Sequence, residues 1–155
     1  MTSDVIHGIM QEQKMEQEIQ GKIIEFSMLE QENQKIEQQL QMIEQQFLNL
    51  QVLKANFDEI ESHNGELLAS LGSGVFLRSE LKDSKMVLIN VGSGVVVEKS
   101  CEDARKILAR QISKLEQVKK EVESIAGKNF EMMIKLESDI RSIVGKAQGL
   151  GTKED

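Results

Sequence analysis

The sequence predicts an α+β chain: a long antiparallel helical coiled-coil hairpin with two central β-hairpins that assemble into an oligomeric β-barrel body. Three observations predict it. Proline is absent, so the strongest helix breaker is missing. The first and last thirds carry apolar residues three and four apart, the spacing of a coiled-coil seam. The middle third alternates Val, Leu and Ile with polar residues and contains an internal repeat.

The chain has 155 residues with no Trp, no Tyr and 5 Phe, and 29% of it is charged. So few aromatics among so much charge argue against a large globular core. The apolar residues must be laid along seams, and residues 1–155 are expected to form a single domain.

The first helix is expected over about 11–62. Its seam reads Met15, Ile19, Lys22, Phe26, Leu29, Asn33, Ile36, Leu40, Ile43, Phe47, Leu50, Lys54 and Phe57, broken only by Lys22, Asn33 and Lys54. The flanks are Gln-rich. Gly21 costs about 1 kcal/mol relative to Ala.

The last helix is expected over about 101–146. Ser100 is its N-cap, with Asp103 at the third helical position. The expected seam is Ala104, Leu108, Gln111, Leu115, Val118, Val122, Ile125, Asn129, Met132, Leu136, Asp139 and Ile143. Gly145, Gly149 and Gly151 are expected to end the helix and leave 147–155 as a flexible tail. Two helices of similar length, each on the order of 65–75 Å at 1.5 Å per residue, pack antiparallel. Asn33 and Asn129 both fall at a positions in this frame, at similar height. They either fix the register by pairing or are two tolerated polar defects.

The middle segment, 65–99, holds the repeat. Leu71-Gly72-Ser73-Gly74-Val75-Phe76-Leu77 aligns with Val91-Gly92-Ser93-Gly94-Val95-Val96-Val97. Strands are expected near 67–71, 75–81, 86–91 and 95–99, with each Gly-Ser-Gly closing a hairpin and Asp83-Ser84 joining the two. Neither glycine motif continues as a phosphate loop or opens a helix, so no nucleotide site is expected. A segment this short cannot enclose its own core, yet Val75, Leu77, Leu81, Val87, Ile89, Val91, Val95 and Val97 are apolar. Phe76, Leu88 and Val96 lie on the other parity. With both faces partly apolar and every strand an open edge, the segment is expected to pair with copies in other chains and close a barrel.

The formal net charge is −7, which gives no counterion-release drive toward nucleic acid. It aids solubility and offers weak attraction to basic partners. Cys101 is the only cysteine, which suits a reducing, cytoplasmic setting. The start, MTSDVIHGIMQEQ, lacks a signal-peptide pattern. No apolar run is long enough to span a membrane. His7 and His63 are far apart, no metal-ligand spacing occurs, and no acid–base or nucleophilic constellation converges. The helix dipole at Cys101 could lower its thiol pKa, but no neighbouring His supports catalysis. No enzyme, cofactor or metal is expected.

The order helix, two Gly-x-Gly hairpins, helix resembles the α class of prefoldin subunits. The most specific stretches are LGSGVFL at 71–77 and VGSGVVVEKS at 91–100, followed by Glu102-Asp103. The β class has one hairpin, so the repeat points to the α class. Ser70 departs from the family, which often carries Pro there. The resemblance implies a heterohexamer of two α-type and four β-type subunits with a double-barrel body and six coiled coils. It implies an ATP-independent holdase that captures non-native polypeptides at the coiled-coil tips and passes them to a group II chaperonin, without nucleotide or metal.

In a hairpin both chain ends lie at the tip. Val5, Ile6, Ile9 and Met10 at one end, and Ile140, Val144 and Leu150 at the other, are therefore the candidate client-binding residues. Met15 and Ile143 also belong to the seam. The alternative is a coiled-coil scaffold or tether that oligomerises through its β-hairpins and handles no clients.

Overall fold

The computed structural model describes residues 2–63 and 65–151, without the side chains of 150 and 151. The elements run α1 (Thr2–Ser62), β1 (Glu66–Gly72), β2 (Val75–Glu80), β3 (Met86–Gly92), β4 (Val95–Ser100) and α2 (Cys101–Gly151). β1 pairs only with β2, and β3 only with β4, as two separate antiparallel sheets. Two compact units share the helices: residues 1–41 with 119–155, and residues 42–118.

The first unit is an antiparallel pair of helices. On α1 the expected seam from Met15 to Leu40 is turned inward, with Leu29 and Ile36 buried. On α2 the seam differs from expectation. Val122, Asn129, Leu136 and Ile143 lie inside as expected, but the residues between them are Ala126, Met133 and Ile140. Ile125 and Met132 are exposed. Beyond Val122 and Asn129 the sequence offers apolar residues both three and four places on. Antiparallel coils layer a positions against d positions, and that selects the residue four places on. Asn129 thus takes a d position and meets Asn33 at a. The Asn129 amide donates to Asn33 Oδ1 at 3.1 Å, and Lys22 Nζ pairs with Asp139 Oδ2 at 3.4 Å.

The second unit has its own small core of Phe57, Cys101, Ala104 and Leu108, with Leu50, Ile112, Val87 and Ile89 packed against it. The same four-residue step brings Ile112 inward and leaves Gln111 and Val118 exposed. Lys54, expected in the seam, is also exposed. Arg105 on α2 reaches Asp58 at 2.6 Å and Glu61 at 2.7 Å on α1. Both partners raise its already high pKa, the bond to Asp58 most, so it stays cationic and clamps the helices beside the hairpins.

Both helices are longer than expected. α1 begins at Thr2 rather than near 11. α2 continues past Lys146 to Gly151 instead of ending in a tail at 147, while 152–155 lie outside the described residues. Gly145 and Gly149 adopt no left-handed φ, so neither builds the cap that stops a helix. A helical glycine costs only about 1 kcal/mol, and nothing in a Pro-free sequence forces termination.

Candidate functional site

The hairpins are closed by two-residue turns of a type that the repeat dictates. Ser73 and Gly74 have φ of 50° and 80°, and Ser93 and Gly94 have 49° and 75°. Two consecutive positive φ values define the type I′ turn, whose twist matches that of paired strands. Each turn is preceded by a bulge, between Ser70 and Gly72 in the first hairpin and between Asn90 and Gly92 in the second. A side chain clasps each bulge. Gly72 N–H donates to Ser70 Oγ at 3.3 Å, and Gly92 N–H donates to Asn90 Oδ1 at 2.9 Å. Ser70 therefore closes the turn through its hydroxyl, which a proline could not do.

The linker and the start of α2 are tied together. Lys85 N–H donates to Asp83 Oδ1 at 2.8 Å, and Cys101 N–H donates to the Lys85 carbonyl at 2.7 Å. Ser100 Oγ accepts the Asp103 N–H at 3.1 Å, the expected N-cap. Cys101 is 2% exposed, and its Sγ lies 3.4 Å from the Ser84 carbonyl. Burial raises its thiol pKa, aided by Glu61 and Asp83 and opposed by Arg105. The expected dipole lowering is outweighed, and the thiol is a packing group.

The two hairpins repeat in sequence but not in burial. Directly opposed residues of an antiparallel pair share a face. In the second hairpin one face carries Val87, Ile89 and Val97. All three are half-buried, and Val87 and Ile89 pack on the helical core. Its other face carries Leu88, 73% exposed, and Val96. In the first hairpin Leu67, the equivalent of Val87, is half-buried, but the other apolar positions are open on both faces: Phe76 is 56% and Leu77 52% exposed, and Leu68 and Val75 are exposed as well. Val91 and Val95 are exposed and Leu81 is half-buried. Of the residues expected to drive assembly, Val87 and Ile89 are thus engaged within the chain. Leu68, Leu71 and Met86 are exposed apolar residues the sequence reading did not single out. The repeat itself was the signal for two of them, because Leu68 and Leu71 occupy the places of Leu88 and Val91.

The terminal residues divide similarly. Val5, Ile6, Ile9 and Met10 are all more than half exposed. Val144 is exposed and Ile140 half-buried in the seam. The side chain of Leu150 lies outside the described residues. The helix pair that carries these ends also exposes Ile23, Ile24, Met28, Phe130 and Ile134. These five sit off the seam, where an apolar residue has no partner helix to cover it, and that was the sequence signal for them.

Among the described residues no group of His, Cys, Asp and Glu could hold a metal ion, and no helix is long and apolar enough to cross a membrane. The prefoldin subunit family model matches residues 28–143, which take in both hairpins and the adjoining parts of both helices. The chain belongs to the prefoldin family. Prefoldins are chaperones that assemble with other prefoldin subunits, and a chaperone-type role and an oligomeric setting follow for this chain. Among solved structures, filamentous PFD from Methanocaldococcus jannaschii, determined by cryo-EM, is similar at 18% identity and a TM-score of 0.49. The match covers 78% of this chain and 96% of that one. No curated protein matches the sequence.

Proposed function

We propose that this prefoldin is an α-type subunit of a cytoplasmic, ATP-independent holdase. It assembles with β-type subunits, two α with four β, through its hairpins. The chain-terminal residues of its helices capture non-native polypeptides for delivery to a group II chaperonin. The observation that carries the reading is the exposed apolar surface of the first hairpin. Leu68, Val75, Phe76 and Leu77 present apolar surface on both faces of a two-stranded sheet whose edges are all open. Burying the exposed half of each such side chain contributes about 1 kcal/mol, and strand pairing adds direction. Only another chain can supply the cover.

Capture needs no chemistry in this reading. Val5, Ile6, Ile9 and Met10 form an exposed stripe on α1. Such a stripe binds clients by the apolar surface they share, and Met adapts to many shapes. Binding the non-native chain lowers its free concentration and so its aggregation.

The test is a deletion of residues 1–10, read by native mass and by light scattering of an aggregating protein. An unchanged number of subunits with weakened suppression is expected. Unchanged suppression would remove the terminal residues from the function.

A further inference from the structure

In the unit of residues 42–118, the apolar surface between the helices does not stop at the seam. Residues 46, 49, 50 and 53 of α1 and 111, 114, 115 and 118 of α2 line an open cavity of about 500 Å³. Leu50 and Leu115 belong to the seam and are half-buried. Leu53 and Val118 flank it and are 43% and 41% exposed. The remaining lining is three neutral amides and Lys114. Lys114 forms no ion pair among the described residues.

Both helices contribute at i, i+3, i+4 and i+7. Each therefore adds one apolar residue beside its seam, Leu53 or Val118, on a face edged by amides and Lys114, an arrangement able to receive an amphipathic helix into the groove between the two. A strand is a poor occupant, because the backbone groups of α1 and α2 are spent on their own hydrogen bonds and leave no ladder to join. The groove's only charge is an unpaired cation, so its complement is an acidic side chain at the edge of an apolar face.

We propose that this groove binds an amphipathic helical segment of a non-native polypeptide, with apolar side chains on Leu53 and Val118 and a carboxylate paired with Lys114. The proposal rests on the holdase reading and adds a second capture site that is selective for helical, acidic segments. Non-native chains retain nascent helices whose apolar faces are uncovered, and the cavity falls in the size range that anchors a few large side chains. The terminal stripe takes apolar surface of any shape, whereas this groove selects by helical spacing and charge.

The test uses the full chain in its native assembly and a fluorescently labelled, 18-residue helical peptide with Leu at i, i+3, i+4 and i+7 and one flanking Glu. Anisotropy gives its Kd. The pair Leu53→Gln and Val118→Gln, at exposed positions that leave the seam intact, is expected to weaken binding by about tenfold. Lys114→Glu is expected to weaken it by about threefold and to restore it for a peptide carrying Lys in place of Glu. A Kd insensitive to all three substitutions, or lost only when residues 1–10 are removed, would overturn the proposal. So would a change in native mass on Leu53→Gln and Val118→Gln, which would make the groove a contact between subunits. Wild-type suppression of aggregation, measured in parallel, reports separately on the holdase reading.

Discussion

Two polar layers interrupt the apolar seam of the helix pair formed by residues 1–41 and 119–155, and both are made from residues that would be defects alone. Asn33 meets Asn129, and Lys22 meets Asp139. Asn129→Ala removes the donor to the part-buried Asn33 Oδ1 and is expected to cost about 1–2 kcal/mol, seen as a lower midpoint in thermal unfolding followed by circular dichroism. The double change Asn33→Leu with Asn129→Leu is expected to raise that midpoint above wild type, at the expense of a unique register. Cys101 gives a pH prediction. Burial raises its thiol pKa above the ordinary value of 9.0, so the folded chain keeps the proton longer than the unfolded chain does. Stability from this group is fully present below pH 9.0 and is lost as pH rises through the folded value. A disulfide reagent at pH 8 should react slowly with the native protein and at the ordinary rate after denaturation. A rate equal to that of a free cysteine in the native state would contradict the buried placement.

The elements show how far patterning carries. The seam of α1 from Met15 to Leu50 could be read from spacing alone, because only one frame keeps it apolar. On α2 two frames were nearly equal, since Ile125 stands beside Ala126 and Met132 beside Met133. The choice depends on the facing helix, which no single-helix pattern contains. The end of α2 was misplaced for a different reason: glycines permit a left-handed stop but do not impose one. The hairpins were legible nearly to the residue because their turns need positive φ at the positions where Ser and Gly repeat. Gly74→Ala is therefore expected to strain the turn by about 1 kcal/mol and to weaken assembly. Alanine at Gly21, which is helical with open space beside its Cα, is expected to stabilise by a similar amount. Native mass across a dilution series and thermal unfolding check the two.

For the whole molecule, the need for partners was legible from a segment too apolar for its length. Which hairpin stays more exposed was not, because that depends on where α1 and α2 place Phe57, Ala104 and Leu108, against which Val87 and Ile89 of the second hairpin pack. Phe76→Asp and Leu88→Asp are expected to dissociate the assembly while helix content is retained. A normal native mass in those variants would place the interface elsewhere. Client handling is the central claim, and it separates a chaperone from a tether most sharply. The direct measurement is light scattering of an unrelated denatured protein diluted into the purified assembly without nucleotide. Suppression that saturates near one assembly per client chain is the expected result. An intact assembly that leaves the aggregation rate unchanged would contradict it and leave a coiled-coil scaffold in its place.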